Sequence, residues 1–246
     1  MRELGPLQIH LWQYPIGDPP DARHLAQAMT LLSDAEKKRR AAFHREKHGA
    51  EYALSHAMLR LVLSEYAPVG PEQWQFLAGE KGKPEIAGPA LEPPLWFNLS
   101  HTDGFAVCVA GRVQQLGVDV ENMSRKTSHQ ELAKRFFAPA EYEYLRTLPP
   151  SVQREAFFRI WTLKEAYIKA DGKGLSIPLD SFHFRFSAEN PTEVTLESNA
   201  ESNPGIWRFF EFEPGSDHRI SIGVKNPEQR TLQVECHHAA TLFDQM

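Results

Sequence analysis

Hydrophobic and polar positions fall into two blocks of similar order along the chain. In the first, Ile9-His10-Leu11-Trp12 reads as an opening strand. Ser33-Asp34-Ala35-Glu36 has the spacing of a helix capping box, with Ser at the N-cap and Glu three residues on. A long helix is predicted from about Arg45 to Tyr66, with Tyr52, Leu59, Leu63 and Tyr66 at helical spacing and Pro68 beyond its end. Trp74–Leu77, Leu95–Leu99 and Phe105–Ala110 read as strands, interrupted by a Pro-rich loop at Pro89–Pro94. The second block has a capping-box spacing at Ser128-His129-Gln130-Glu131 and a main helix from Ser151 to Ala170, ended by Gly172. Strands are predicted at Phe182–Phe186, Trp207–Phe212 and Ile220–Val224, with loops at Glu189–Pro191 and Asn199–Pro204. Leu232–Cys236 reads as a last strand. Helix followed by three strands, twice, predicts an α+β protein of two similar subdomains, each a small, mainly antiparallel sheet packed with a long helix. The expected halves are residues 1–116 and 117–246, with the tail packing back on the N-terminal half.

The candidate chemistry lies in two runs about forty residues apart. In Gly117-Val118-Asp119-Val120-Glu121, β-branched residues alternate with carboxylates, as in a strand. Side chains at i and i+2 share a face, so Asp119 and Glu121 project together. In Trp161-Thr162-Leu163-Lys164-Glu165 and on to Lys169, a helix places Trp161, Glu165 and Lys169 in one row. If that row faces the Asp119/Glu121 pair, three carboxylates converge. Like charges that close raise one another's pKa or recruit a cation. Three oxygen ligands with open positions suit Mg²⁺, which keeps waters and binds substrate phosphates. Each element also has a plainer reading. Asp119 and Glu121 fit the solvent face of an amphipathic strand, and Glu165 fits an i, i+4 partner of Lys169.

Composition narrows the classes. The hydrophobic fraction of 41% and charged fraction of 24% are those of an ordinary globular protein. No apolar run approaches the ~18 residues of a membrane span, and the N-terminus lacks the pattern of a signal peptide. A net charge of −5 argues against a nucleic-acid binder. Cys108 and Cys236 have no metal-ligand spacing and read as small buried strand residues in a reducing cytoplasm.

The two runs together resemble the signature of 4′-phosphopantetheinyl transferases of the surfactin-synthetase-activating (Sfp) type. Further elements match in the same order: Gly82-Lys83-Pro84, Phe97-Asn98-Leu99-Ser100-His101-Thr102, Arg135-Phe136-Phe137 with Glu141, and Leu175-Ser176-Ile177-Pro178-Leu179-Asp180-Ser181-Phe182. The matches span about Ser33 to Phe184. The resemblance implies a pseudo-twofold pair of subdomains with the active site in the cleft between them. It implies transfer of the phosphopantetheine arm of coenzyme A to a serine of an acyl- or peptidyl-carrier protein, releasing adenosine 3′,5′-bisphosphate. Because carrier proteins are generally acidic, a local basic docking patch is expected. The expected cofactor is Mg²⁺, the donor coenzyme A and the protein a monomer, with neither nucleic acid nor a membrane as partner.

By the same resemblance, Asp119, Glu121 and Glu165 are the metal ligands, and Asp119, Glu165 and Lys169 form the catalytic set. Glu165 is the candidate base, acting directly or through a metal-bound water. Lys169 neutralises the pyrophosphate, and Lys164 orients the carboxylates and faces the cofactor. Lys83 and Pro84 serve the adenine end, and Ser100 and His101 offer donors to phosphate. Glu141 is supporting. One position departs from the pattern: Glu51 stands where the family usually carries an arginine for the 3′-phosphate. Lys37 and Arg39 are the nearby basic substitutes chosen here, from a set that includes Arg45, Lys47 and His48. Two other classes compete with this reading, a noncatalytic carrier-binding module and a metal-dependent nuclease.

Overall fold

The computed structural model describes residues 1–79, 82–187, 190, 192–198 and 203–246. The loops expected at Glu189–Pro191 and Asn199–Pro204 lie largely outside the described residues. In chain order the elements are β1 (Gln8–Pro15), α1 (Ala22–Leu31), α2 (Asp34–Ala41), α3 (Glu46–Ser64), β2 (Gln75–Ala78), β3 (Pro84–Gly88), β4 (Trp96–Thr102), β5 (Phe105–Gly111), β6 (Leu116–Asn122), α4 (His129–Phe136), α5 (Pro139–Thr147), α6 (Pro150–Asp171), β7 (Phe182–Phe186), β8 (Val194–Ser198), β9 (Trp207–Phe212), β10 (His218–Lys225), β11 (Gln233–His238) and α7 (Ala240–Asp244). The chain divides into two compact units: residues 1–114 with 231–246, and residues 115–230. Among the described residues, no helix is long and apolar enough to cross a membrane.

In the first unit the sheet order is β11-β1-β5-β4, antiparallel except for the parallel β11/β1 pair. All of β5 is buried, and α3 packs on it through Leu54, Met58 and Val62 against a core that includes Trp12, Tyr14, Phe97 and Cys108. The tail therefore belongs to this unit: β11 extends the sheet, and Phe243 of α7 enters the same core. The expected capping box at Ser33 forms in full, with Glu36 N–H donating to Ser33 Oγ and Ser33 N–H to Glu36 Oε2. Glu36 does more than cap. Its carboxylate also accepts from Arg60 Nη2 at 2.7 Å and His56 Nδ1 at 3.2 Å, tying α2 to α3. Arg60 is buried and also donates to the Trp74 and Pro71 carbonyls.

Burial alone would raise the Glu36 carboxyl, but hydrogen bonds from His56, Ser33 and Arg60 outweigh it and hold the group at about 2. An acid bound more weakly to its proton in the folded state stabilises the fold above the unfolded value near 4.5. That contribution, about 3 kcal/mol, is lost as pH falls from there through 2. Denaturant unfolding between pH 2 and 7 should show this slope in the wild type. A Glu36→Gln variant should be less stable at neutral pH and lack that part of the slope; an unchanged slope removes Glu36 as its source.

The second unit repeats the first in plan. Each begins with a strand, passes through short helices to one long helix, then makes a two-stranded hairpin and a strand pair. The sheets share an order too: first strand, last strand, penultimate strand, as β1-β5-β4 and as β6-β10-β9. The hairpins are β2-β3 and β7-β8, of which β3 and β8 were not among the expected strands. One expected cap does not form. Ser33 enters its helix with ψ 163°, which brings its hydroxyl over the first turn, whereas Ser128 enters with ψ 70° and makes no side-chain cap bond to α4.

The long α6 lies on β6 and β10. Its closest approach is at Gly117, where a Cβ would sit 2.4 Å from the Ala166 carbonyl oxygen and 2.4 Å from the Ala170 nitrogen. Gly223 is Gly117's partner in register across β10, and its Cβ would press on the same carbonyl at 3.2 Å. Two facing glycines under two helix alanines let backbone rest on backbone. Gly172 ends α6 in the left-handed conformation at φ 83°, its N–H donating to the Ile168 carbonyl.

Candidate active site

The close packing at Gly117 fixes how α6 crosses β6, and so which side chains meet beyond it. Gly117, Asp119 and Glu121 alternate along one face of β6, the face that α6 covers. Val118 and Val120 point the other way and are buried opposite Ile222 and Ile220. Asp119 pairs in register with Ser221, whose hydroxyl meets Thr162 Oγ1 of α6 at 2.8 Å. Across its central and last turns α6 is buried almost throughout, and Trp161, Glu165 and Lys169 are the row left half-exposed. That is the i, i+4, i+8 row expected from the sequence.

Lys169 Nζ donates to Asp119 Oδ1 at 2.6 Å. Glu121 pairs with Arg125 at 3.2 Å. Burial pushes the Glu121 carboxyl up to about 7, the Asp119 charge adds to the shift, and Arg125 and Lys169 oppose it. Glu165 contributes further repulsion at Glu121. Burial also raises Glu165, reinforced by Asp119 and opposed by Lys169. The three acids therefore share one electrostatic neighbourhood. Among the described residues, they do not bring three ligand atoms within 4.8 Å of one another. Lys169 and Arg125 instead hold two of the carboxylates.

The donor set fits a hard divalent cation. It consists of carboxylate oxygens alone, two of the three acids are raised by burial and mutual repulsion, and a cation placed there would relieve both. A raised Glu165 is also a better proton acceptor near neutral pH than an ordinary carboxylate.

Lys164 requires a correction. It was expected to orient these carboxylates and to face the cofactor, but it is fully buried on another side of α6. Its ammonium has three N–H groups, and three acceptors surround it: Glu141 Oε2 at 2.7 Å, the Leu179 carbonyl at 2.6 Å and the Phe182 carbonyl at 2.7 Å. Glu141, equally buried, accepts in addition from the backbone N–H of Ala138 and Phe184. Burial drives Glu141 up and Lys164 down, each toward its neutral form, while the partner's charge pulls each back. The pair locks α5, α6 and β7 together and has no donor to offer a phosphate.

The first-unit candidates are more dispersed. Pro84 and Gly82 line a cavity of about 400 Å³ with Ser33, Glu36, Arg60 and Phe76. Lys83, between them, contributes its carbonyl to the hairpin turn by accepting from Gly79 N–H. Ser100 is buried and His101 exposed, and as neighbours on β4 their side chains project to opposite faces. Lys37 is half-buried and Arg39 exposed on α2, and neither lines that cavity. Glu51 serves the fold: it is buried, and its Oε1 accepts from Gly104 N–H in the β4–β5 turn at 3.1 Å. Lys47, one of the alternative cations, is engaged by Asp18 and Asp103.

Comparison with known proteins bears on both units. Residues 115–223 match a family described as the 4′-phosphopantetheinyl transferase superfamily, and residues 19–113 match one described as 4′-phosphopantetheinyl transferase, N-terminal. The chain is similar to the 4′-phosphopantetheinyl transferase HetI of Nostoc, 39% identical over 217 residues, covering 88% of this chain and 87% of the relative. It is similar to the 4′-phosphopantetheinyl transferase Sfp of Bacillus subtilis, 30% identical over 200 residues, covering 81% and 85%. The L-aminoadipate-semialdehyde dehydrogenase-phosphopantetheinyl transferase of Mus musculus is 27% identical over 234 residues, covering 88% and 75%.

Proposed function

The chain belongs to the 4′-phosphopantetheinyl transferase superfamily, and from that premise we propose that it transfers the phosphopantetheine arm of coenzyme A to a carrier-protein serine with Mg²⁺ held by Asp119, Glu121 and Glu165. The observation that carries the reading is the meeting of these three acids with Lys169 where α6 crosses β6. When bound, the ion supplies Lewis-acid stabilisation of charge on the phosphate oxygens.

The chain's own residues do the rest. The serine oxygen forms a bond to the phosphorus that bears pantetheine, the bond from that phosphorus to the bridging oxygen breaks, and adenosine 3′,5′-bisphosphate leaves. Glu165 takes the hydroxyl proton, for which its raised pKa suits it. Lys169 offsets charge on the pyrophosphate, and Asp119 holds its ammonium in place. In the first unit the reading gives Lys83 and Pro84 to the adenine end, His101 and Ser100 to a phosphate, and Lys37 and Arg39 to the 3′-phosphate. Lys164 is dropped from the cofactor contacts. The reading takes the protein as a monomer. Both cysteines are free thiols, which fits a reducing compartment such as the cytoplasm; Cys108 is buried as expected, whereas Cys236, on the edge strand β11, is exposed.

The test is mass spectrometry of apo acyl- and peptidyl-carrier proteins incubated with the protein, coenzyme A and Mg²⁺. The expected result is a gain of one phosphopantetheine arm on the carrier serine, lost when Mg²⁺ is chelated. Transfer undiminished by chelation overturns the metal assignment. Coenzyme A binding without transfer to any carrier favours a noncatalytic module.

A further inference from the structure

We propose that His10, Glu235 and His237, on the outer pair of strands in the first unit's sheet, form a divalent transition-metal site of the class that takes Zn²⁺. None of these residues enters the transfer chemistry.

The parallel register builds the cluster. His10 of β1 lies opposite Glu235 of β11, and Trp12 lies opposite His237. Residues two apart on a strand share a face, so His10, Glu235 and His237 gather on one side of the sheet edge. Their ligand atoms all lie within 4.8 Å of one another, which no other trio of histidine, cysteine or acidic residues achieves among the described residues. Glu235 Oε2 is 3.7 Å from His10 Nε2 and 3.9 Å from His237 Nε2. Zinc bonds of ~2.0–2.1 Å in a tetrahedron set ligands roughly 3.3 Å apart, so Glu235 needs to close on each imidazole by only about half an ångström.

The two imidazole ligand atoms are otherwise unanswered among the described residues. His10 is 2% exposed, yet among the described residues its Nε2 has no hydrogen-bond partner, and neither has the buried Nε2 of His237. The separations to Glu235 are too long for hydrogen bonds. A buried polar atom without a partner is costly, and an ion coordinated there removes that cost.

The outer groups are arranged as metal sites require. Tyr66 Oη is 2.8 Å from His10 Nδ1 and accepts from Trp12 Nε1 at 2.7 Å. With Nδ1–H donating to that same oxygen, the Nε2 lone pair faces the cluster. Gln8 Nε2 donates to Glu235 Oε1 at 3.1 Å, which turns Oε2 toward the imidazoles. Such partners fix ring tautomer and carboxylate orientation. Burial, with His237 and Arg2 adding to it, lowers His10 to about 4; burial and Arg2 lower His237 as well. Neutral imidazole is the form that binds metal. Two imidazoles and a carboxylate leave a fourth position for water or an outside ligand. The ion would also clip the carboxyl-terminal strand to the amino-terminal one.

The experiment uses tag-free protein stripped with a chelator, titrated with Zn²⁺ alone by calorimetry and with Co²⁺ by visible ligand-field absorption. Wild type should bind one equivalent of zinc and gain melting temperature on binding. Asp119→Ala, which disarms the acidic centre, should keep that equivalent. Glu235→Gln and His237→Gln, at partly exposed positions, should each weaken it by at least ~10-fold and lose the thermal gain. Thermal melts in chelator establish that each variant is folded, and either folded variant decides the matter. No zinc bound by wild type, or equal binding by a folded Glu235→Gln or His237→Gln, overturns the site. Loss of the equivalent in Asp119→Ala overturns it too, by assigning the zinc to the acidic centre.

Discussion

Replacing Asp119 with Ala is expected to lower carrier modification by about 10³-fold or more while leaving the fold intact. Asp119 sits in mid-strand, 5% exposed, and does two things at once. It offers the most buried of the three carboxylates to the ion, and it anchors Lys169 at 2.6 Å. Both act on charge that develops only as phosphoryl transfer proceeds, an effect worth several kcal/mol, and each 1.36 kcal/mol is about tenfold in rate. Stability should not suffer in step. The Asp119 charge raises both Glu121 and Glu165, so its removal relieves repulsion, and melting temperature in chelator should hold or rise. Glu165→Gln should behave differently. It keeps size and a carbonyl oxygen but no longer accepts a proton, so turnover should fall by ~10²–10⁴-fold with coenzyme A affinity largely retained. Single-turnover mass spectrometry with calorimetric titration of coenzyme A reads both quantities. Near wild-type turnover in Asp119→Ala would end the metal-site reading. Lost affinity with normal turnover in Glu165→Gln would make Glu165 a ligand and send the search for the base elsewhere.

The acidic centre was legible because it depends on two short periods. Asp119 and Glu121 share a face by the strand period, and Trp161, Glu165 and Lys169 share a row by the helix period, so neither step needs tertiary information. The long helices α3 and α6 and most strands declared themselves in the same way. What the sequence hides is pairing between distant segments. Lys164 falls on the same helical face as Phe157, Ile160 and Ile168, a pattern that buries its stem, yet nothing local reveals that Glu141 of α5 and two carbonyls after α6 surround its ammonium. Glu51 looked like a lost phosphate contact until the Gly104 turn was seen beside it. Helix α1 has its Asp21 cap bonded to His24 N–H, but His24, Gln27 and Thr30 break up its apolar rhythm. The cluster of His10, Glu235 and His237 arises only because the two ends of the chain run parallel in one register.

The largest loss of stability is expected from Glu141→Ala. The change leaves the Lys164 ammonium fully buried with two carbonyls and only the more distant Asp180 charge, and it strips the acceptor from the Ala138 and Phe184 backbone N–H groups. Breaking a buried pair from one side costs about 3–5 kcal/mol, because the remaining charge is uncompensated. Replacing both partners is a separate case. Desolvation of both ions is then no longer required, and a Glu141→Leu, Lys164→Met double variant should recover much of the loss, short of what the two orphaned backbone N–H groups cost. The double-mutant cycle should give a coupling well above 1 kcal/mol in denaturant unfolding. Transfer activity separates this role from a catalytic one. Because Lys164 faces away from the Asp119 row, the folded double variant should keep carrier modification within about tenfold of wild type, at a temperature below its own melting point. A double variant as stable as wild type but a thousandfold slower would return Lys164 to the reacting phosphates.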